Sequence, residues 1–461
     1  MIEGLKPYGE YKRSGSKWLG DVPAKWEVRN LRTLISKQSE RNRSDLPLLS
    51  VAREKGVFIR SLTDLKENHN TIPEDLSNYK VAREGNLVIN KMKAWQGSMG
   101  IAPCDGIVSP AYFVFDFRIA NHAFGQRLLR SKPYVAHFGQ ASDGVRVGQW
   151  DLSIPGMRQI PVLLPSEDEQ AGIVLFLSHA DRKINGFIRA KRKLIGLLNE
   201  QKQAIIHRTV IRGLNPDVQL KPSSIPWLGD IPVHWKLKRF KFVARINSGQ
   251  VDPRNPRYRK LVLIAPNHIQ SGSGRLLAQE TAKEQGADSG KFLVSQGQII
   301  YSKIRPNLRK ATIAPCECLC SADMYPVTPR KELLPAFMLL LLLSPPFTKF
   351  AVDCSMRVAM PKINREALSN CWMWFPEKDE QVQILDYLSQ EVAPYDTAIT
   401  RTNNEIALMQ EYRTRLTADI VTGKLDVREA AAKLPDLPPD AAPESDEDES
   451  PNDLETEESH E

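Results

Sequence analysis

The chain has 461 residues, 41% of them hydrophobic and 26% charged, which is enough to form two to four globular domains. Its net charge of +8 is uneven, because 12 of the 55 acidic residues and no lysine or arginine lie from Asp436 onward. The residues before Asp436 therefore carry a net charge of +20, which indicates a polyanionic partner such as nucleic acid. The sequence contains no 18-residue apolar run, no signal-peptide core and no regular cysteine framework, so we expect a reduced, cytoplasmic protein without a membrane segment.

The second half of the chain repeats the first. The segment "WLGDVPAKW" at 18–26 recurs as "WLGDIPVHW" at 227–235. Further pairs follow in the same order: "EGNLVINKM" (84–92) with "QGQIIYSKI" (296–304), "GIAP" (100–103) with "TIAP" (312–315), and "PSEDEQ" (165–170) with "PEKDEQ" (376–381). Colinear matches of this kind indicate one module of about 210 residues that was duplicated in tandem.

The first part of each module, roughly 18–165 and 227–376, has the pattern of short strands. Apolar runs such as "NLVIN", "AYFVFDF", "KLVLIA" and "GQIIYS" alternate with glycine, proline, asparagine and aspartate. Runs of this length between turn residues are typical of strands. Each first part is therefore predicted to be a compact, strand-rich α+β domain.

The second part of each module has the pattern of a long helix. It begins with an acidic turn, "SEDEQ" or "EKDEQ", and carboxylates favour the positive end of a helix dipole. Apolar residues then recur every three or four positions, from Ile173 to Ile205 and from Leu385 to Ile420. This spacing predicts a coiled-coil stripe on helices of about 28–30 residues.

The ends and interruptions of these helices are also predicted from the sequence. Glycines in "RGL" (212–214) and "TGKL" (422–425) are typical helix stops. Pro394 predicts that the second copy is a short helix followed by a long one.

Two packing arrangements can cover these apolar stripes. In the first, the two helices pack on each other antiparallel, which gives an internal pseudo-twofold repeat. In the second, each stripe packs only on its own domain. The first predicts an α+β fold with two similar globular domains separated by two long antiparallel coiled-coil helices. The domains are then residues 1–165, the first helix 166–214, residues 215–375, the second helix 376–431, and a disordered acidic tail at 432–461.

Candidate enzymatic motifs are few. "SPPF" (344–347) resembles the segment with which amino-methyltransferases hold a target base, but its repeat counterpart, "SKPY" (131–134), does not preserve the motif. Gly272-Ser273-Gly274 is a weak candidate for a cofactor loop. Cys316, Cys318 and Cys320 alternate as in a strand and lack zinc-knuckle spacing, so no metal site is predicted. No P-loop is present, and the chain is predicted not to be an enzyme on its own.

Basic residues near predicted turns are the candidate DNA contacts, since arginine and lysine bind phosphates and arginine also reads guanine. A solvated surface charge is the alternative interpretation for each. The candidates are Arg53, Lys55, Arg60, Lys91, Lys93 and Arg146 in the first copy, and Arg254, Arg257, Arg259, Arg275, Lys303, Arg305, Arg309, Lys310 and Arg357 in the second. The pairs Lys91/Lys303 and Arg146/Arg357 are the strongest, because both copies keep a cation there.

The sequence resembles the specificity subunits of type I restriction–modification systems. The resemblance is carried by the paired tryptophan segments, by the "EGNLVINKM" and "QGQIIYSKI" strands with "IAP" and a following serine, and by "P…DEQ" before each helix. It covers about residues 10–430. It implies two target recognition domains that each read one half of a split double-stranded DNA sequence, with helices that set their spacing.

The resemblance also implies the partners. The helices would dock two modification subunits, which bind S-adenosylmethionine and methylate adenine N6, and restriction subunits that use ATP and Mg²⁺ would join. No cofactor is expected in this chain. Two other hypotheses remain at this stage: a self-contained DNA adenine methyltransferase that uses "SPPF", and a coiled-coil scaffold that does not bind DNA. The acidic tail is hypothesised either to compete with DNA for the basic surface or to aid solubility.

Overall fold

The computed structural model describes residues 5–60, 75–144, 150–355 and 361–435. These residues form two compact units, which we call unit 1 (5–191 and 404–435) and unit 2 (192–403). The predicted disorder of the acidic tail concerns residues that lie mostly outside the described range.

Among the described residues, unit 1 consists of short strands, four short helices and parts of two long ones. Its strands are β1 (Tyr11–Arg13), β2 (Asp21–Pro23), β3 (Glu27–Asn30), β4 (Ile35–Lys37), β5 (Leu49–Ala52), β6 (Gly56–Ile59), β7 (Lys80–Ala82), β8 (Leu87–Asn90), β9 (Met99–Ile101), β10 (Gly106–Val108), β11 (Tyr112–Phe117), β12 (Ser142–Asp143), β13 (Asp151–Leu152) and β14 (Pro161–Leu164). Its helices are α1 (His122–Leu129), α2 (Lys132–Gln140), α3 (Ile154–Arg158) and the first part of α4 (Glu167–Arg212).

Unit 2 repeats much of this order. Its strands are β15 (Leu220–Pro222), β16 (Asp230–Pro232), β17 (Lys236–Arg239), β18 (Ala244–Ile246), β19 (Gln250–Val251), β20 (Leu263–Ile264), β21 (Lys291–Val294), β22 (Ile299–Ser302), β23 (Ala311–Ile313), β24 (Cys318–Cys320), β25 (Met324–Pro329) and β26 (Trp372–Phe375). Its helices are α5 (Phe240–Val243), α6 (Pro335–Leu343), α7 (Pro345–Asp353), α8 (Arg365–Asn370) and the first part of α9 (Lys378–Val421); the short α10 (Arg428–Ala431) belongs to unit 1.

A four-stranded antiparallel sheet lies at the centre of each unit. Its order is β4-β11-β8-β9 in unit 1 and β18-β25-β22-β23 in unit 2. Strands β8 and β22 are central because they are continuous apolar runs, "LVIN" and "IIYS", and almost all of their residues are buried. The duplication seen in the sequence is therefore also a duplication of topology. Unit 2 adds a second four-stranded sheet, β19-β21-β24-β20, where unit 1 has the separate pairs β5–β6 and β7–β10.

The ends of the long helices are buried in the core of the unit to which they belong. In unit 1, Ile173 and Leu177 of α4 share a core with Leu416 and Ile420 of α9. In unit 2, Val210 of α4 shares a core with Ile384 and Leu388 of α9.

Between these apolar ends the helices meet through polar side chains. In unit 1, Lys191 Nζ lies 2.7 Å from Glu405 Oε2, and Arg413 donates to Asn185 at 3.0 Å. In these contacts the residue numbers of α9 decrease as those of α4 increase, so the two helices are antiparallel in unit 1. In unit 2, Lys202 Nζ lies 2.5 Å from Asp396 Oδ1. The predicted α+β fold class with antiparallel long helices is confirmed. The apolar stripes pack both on the other helix and on the core of a globular unit, so each of the two predicted packing arrangements is present in part.

Three details of the helix prediction are decided by the structure. The glycine stops are confirmed, since α4 ends before Gly213 (φ +74°) and α9 ends before Gly423 (φ +78°). The predicted break at Pro394 is wrong, because α9 continues through this residue. The predicted length of about 28–30 residues is also wrong: α4 has 46 residues and α9 has 44, because the apolar stripe is supplemented by packing into the unit cores.

Within the described residues, no single helix is both long and apolar enough to cross a membrane. Helices α6 and α7 reach that length and composition only as a pair, bent by 62°. Both bury large apolar side chains, such as Phe337 and Phe347, in the core of unit 2.

Candidate nucleic-acid interface

Each unit carries a basic turn at the same edge of its central sheet. The basic turn of unit 1 (residues 91–98) joins β8 to β9, and the basic turn of unit 2 (residues 303–310) joins β22 to β23. Both are eight residues long and contain one turn of 3-10 helix, Ala94–Gln96 or Pro306–Leu308. The turn of unit 1 carries the predicted contacts Lys91 and Lys93, and the turn of unit 2 carries Lys303, Arg305, Arg309 and Lys310. Lys310 is buried, whereas the other five are exposed or half-buried.

The matched lysines at the start of the two turns are held by their own units. Lys91 Nζ lies 2.9 Å from Asp151 Oδ2, and Lys303 Nζ donates to the Ala322 carbonyl at 2.7 Å. The backbone there is also anchored in the same way, since the amide of Leu152 donates to the Lys91 carbonyl and that of Ile363 to the Lys303 carbonyl, both at 2.9 Å. The lysine that both copies keep therefore helps to hold its basic turn in place.

The basic turn of unit 2 contains two arginines in the left-handed region, Arg305 (φ +44°) and Arg309 (φ +50°). This conformation costs a residue with a Cβ roughly 1–2 kcal/mol. The turn is joined to the 270–275 loop because the Gly272 amide donates to the Arg309 carbonyl at 3.1 Å. Arg275, another predicted contact, is exposed on the same loop.

Other predicted contacts lie on separate loops. Arg53 and Lys55 are in the β5–β6 hairpin, where the half-buried Arg130 side chain donates to the carbonyls of Arg53 and Glu54 at 2.8 and 2.6 Å. Burial lowers the pKa of Arg130 from its ordinary value. Arg60 follows the hairpin and is half-buried. Arg130, which the sequence analysis missed, therefore fixes the loop that carries two candidates.

The 252–260 loop of unit 2 carries three more predicted contacts. Arg254 pairs with Asp252 at 3.0 Å, and the Arg257 guanidinium lies 5.4 Å from the centre of the Tyr258 ring. Arg259 is exposed. The last two predicted contacts, Arg146 and Arg357, lie outside the described residues.

An aromatic pair in unit 1 was also missed by the sequence analysis. The ring centres of Trp95, in the basic turn, and Trp150 are 5.1 Å apart, and both side chains are half-buried. Their repeat counterparts in unit 2, Asn307 and Pro361, are not aromatic. Both positions hold tryptophan in the first copy and a non-aromatic residue in the second. This shared difference is the sequence signal that could have identified the pair.

The methyltransferase-like motif "SPPF" forms the first turn of helix α7, which packs in the core of unit 2. Ser344 precedes α7 and its hydroxyl donates to the Leu341 carbonyl at 2.6 Å, while the ring of Phe347 is fully buried. "SKPY" starts α2 in the same way, with the Ser131 hydroxyl donating to Leu128 at 2.7 Å and Tyr134 fully buried. A buried ring cannot hold a substrate base, so "SPPF" has a structural role shared by both copies.

The alternating cysteines also have a structural place. Cys318 and Cys320 are buried in β24, which pairs with β21. Burial raises the pKa of the Cys318 thiol to about 12, and raises that of Cys320 as well. In the part of the chain that the structure describes, no three histidine, cysteine or acidic side chains are grouped to hold a metal ion.

Comparisons with known proteins show what this chain is similar to. Residues 232–408 match the model of the type I restriction modification DNA specificity domain. The type I restriction enzyme EcoDI specificity subunit of Escherichia coli is 36% identical over 210 residues, which are 46% of this chain and 46% of that protein. This chain is similar to type I specificity subunits over these segments. The resemblance predicted from the paired motifs is confirmed.

The extent of these similarities differs between sequence and fold. The alignment with the curated relative spans about half the length of that relative. A solved structure titled "Structural basis underlying complex assembly and conformational transition of the type I R-M system" matches with a TM-score of 0.60. It covers 88% of this chain and 99% of the other, at 15% identity, and so shows that the fold is shared.

Proposed function

We propose that this chain is the DNA-reading specificity subunit of a type I restriction–modification complex. The observation that carries the proposal is the duplicated reader: two units with the same central sheet order and a basic turn of equal length. Two similar but non-identical readers suit a split, non-palindromic target in double-stranded DNA. The net charge of +20 before Asp436 supports a polyanionic partner.

The parts of the chain then have separate roles. Residues 1–165 and 215–375 are the target recognition domains, and the helical regions 166–214 and 376–431 set the spacing and dock two modification subunits. Apolar side chains that are exposed on α4 and α9 support docking: Phe187, Leu194, Leu197, Val382, Tyr387 and Leu408. Leu408 has the largest exposed fraction of these six side chains, 63%.

The chemistry belongs to the partner subunits. This chain is the non-catalytic member and needs no cofactor of its own. The modification subunits bind S-adenosylmethionine and methylate adenine N6, and the restriction subunits use ATP and Mg²⁺ for cleavage. The complex acts in the cytoplasm, where the host DNA lies.

The fifteen basic residues named from the sequence are proposed as the DNA contacts. The exposed and half-buried ones on the two basic turns and on the 270–275 loop have the best support, because several of them share a turn or neighbouring loops. Phosphate contacts position the reader and contribute equally on any sequence, whereas base contacts decide the target.

Methylome sequencing tests this function directly. A host that expresses this chain with its modification subunit should acquire N6-methyladenine in both halves of one split motif. A host that expresses the modification subunit alone is the control and should lack the motif. The purified chain alone should not bind S-adenosylmethionine. A continuous motif, or methylation by this chain without a partner, would contradict the proposal.

A further inference from the structure

The two basic turns differ at one position where the backbone demands the same unusual conformation. The residue that ends the 3-10 turn is left-handed in both units, with φ +90° at Gly97 and φ +50° at Arg309. These residues are repeat counterparts, 212 positions apart. Glycine adopts this conformation without steric cost, and arginine does not. Unit 2 therefore keeps a strained arginine where its sister unit has the residue that the turn geometry favours.

The Arg309 guanidinium lies over a second left-handed glycine. A Cβ placed on Gly272 (φ +67°) would come within 3.0 Å of Arg309 Nη2 and 3.2 Å of its Cζ. The side chain thus rests on a backbone surface that has no side chain of its own. The Gly272 amide also donates to the Arg309 carbonyl, so the loop fixes both the backbone and the side chain of this arginine.

The donors of this guanidinium remain available to a ligand. Within the described residues, Arg309 has no side-chain hydrogen bond and no ion pair, unlike Lys91 or Lys303 on the same turns. Arg305, Asn307 and Arg275, which are all exposed, lie on the same two loops. An oriented fork of N–H donors on a positively charged edge fits a pair of acceptors, which a phosphate group and the O6 and N7 atoms of guanine both provide. Only the contact with guanine would make the methylated motif depend on this side chain.

We propose that Arg309 is a specificity-determining residue of unit 2 and reads a guanine through its O6 and N7 atoms in the major groove. Gly272 is the positioning residue that holds the fork in place. This assignment rests on the proposed function, since it requires that unit 2 reads one half of the target. The half read by unit 2 therefore contains a guanine that depends on Arg309, while Gly97 gives unit 1 no equivalent contact.

The test is Arg309→Gly in the full chain, expressed with the modification subunit and read by methylome sequencing. Glycine is the residue of the sister turn and relieves the backbone, so the melting temperature should not fall. One guanine position, in one half of the motif, should lose its preference for guanine, from about ten- to a hundredfold over the other bases to less than about threefold. The other half should be unchanged.

Two further variants separate base reading from charge and from folding. Arg309→Lys keeps the charge but not the planar fork, and should weaken the same guanine preference. Lys331→Ala removes one exposed charge of unit 2 outside the proposed contacts and should leave that preference intact. If Arg309→Gly retains the guanine preference, or if Arg309→Lys keeps it in full, the proposal is wrong. A lower melting temperature of Arg309→Gly with an unchanged motif would show that the arginine only links two loops.

The outcomes also separate this inference from the function on which it rests. A wild-type chain that produces no split motif overturns the proposed function. A wild-type split motif that Arg309→Gly leaves intact, or that lacks a guanine in the affected half, overturns only the role of Arg309.

Discussion

Trp26 and Trp235 show how equivalent residues acquire different partners after a duplication. Both indole rings are buried at the end of the repeated tryptophan segment. Trp235 Nε1 donates to Glu380 Oε1 at 3.0 Å. Trp26 Nε1 is buried without an acceptor among the described residues, because the equivalent carboxylate, Glu169, accepts the hydroxyl of Tyr8 at 2.7 Å. The residues are the same, but the hydrogen-bond energies are not.

This difference predicts unequal costs for the same substitution. Trp235→Phe removes a buried hydrogen bond to a charged group, whereas Trp26→Phe removes a donor that has no acceptor. We expect Trp235→Phe to lower the free energy of unfolding of its unit by about 1–3 kcal/mol more than Trp26→Phe does. Hydrogen exchange followed by mass spectrometry measures each unit separately, and each variant serves as the control for the other. Equal losses would mean that the hydrogen bond contributes little.

The cysteines of β24 give a second prediction at this scale. The thiolate is the reactive form, and burial raises the pKa of Cys318 to about 12, so this thiol stays protonated and covered near pH 8. Cys316, two residues away, is exposed. Iodoacetamide at pH 8 should therefore modify Cys316 quickly, and Cys318 and Cys320 only after unfolding in guanidinium. Peptide mass spectrometry distinguishes them, and rapid native labelling of Cys318 would contradict the buried strand.

At the scale of elements, helix α9 shows what its sequence predicts and what it does not. The acidic start, the apolar spacing and the glycine stop at Gly423 predict where the helix begins and ends, because these signals act locally. Its continuation through Pro394 could not be predicted, since it depends on distant contacts. Ile384 and Leu388 before the proline are buried in the core of unit 2, and Thr402 after it is also buried. This packing outweighs the lost backbone hydrogen bond.

The candidate site also has features that the sequence predicts and features that it does not. Composition and repeat alignment predict that the basic residues recur near turns, and the fold places Lys91 and Lys303 at equivalent positions. The left-handed backbone of Arg305 and Arg309 was not predictable, because residues with a Cβ seldom adopt it. Contacts such as Trp95 with Trp150, or Arg130 with the 53–55 hairpin, join segments far apart in sequence and become visible only in the folded chain.

Pro394 lacks a backbone N–H inside α9 and therefore lowers the stability of this helix. Replacing it is predicted to stabilise the protein. Pro394→Ala restores the missing amide and should raise the free energy of unfolding of unit 2 by about 1–3 kcal/mol, after allowing for the greater freedom of alanine in the unfolded chain. Lys183→Ala, at the exposed counterpart position in α4, is the control and should change stability by less than about 0.5 kcal/mol. Chemical unfolding curves of the three proteins test this. A destabilised Pro394→Ala would show that the proline geometry is needed for packing.

At the scale of the whole molecule, the duplication leaves the core of each unit similar while the loops of the two units differ. Each unit has its own sheet, core and basic turn, while the paired regions keep the same strand order. The loops differ most: unit 2 has the second sheet and the arginine-rich turn, and unit 1 has the tryptophan pair. Under the proposed function, a chain built in this way can change what one unit reads without changing the fold of the other.

This separation predicts the result of a segment exchange. Residues 18–165 are replaced by the corresponding segment of a specificity subunit with a different known target, and the methylome is sequenced with the modification subunit present. One half of the split motif should change to that of the donor, and the other half should stay as it was. The reciprocal exchange of residues 227–376 is the matched control and should change only the opposite half. A change of both halves in either exchange would mean that the two units read the target jointly, and the duplicated readers would then not be independent.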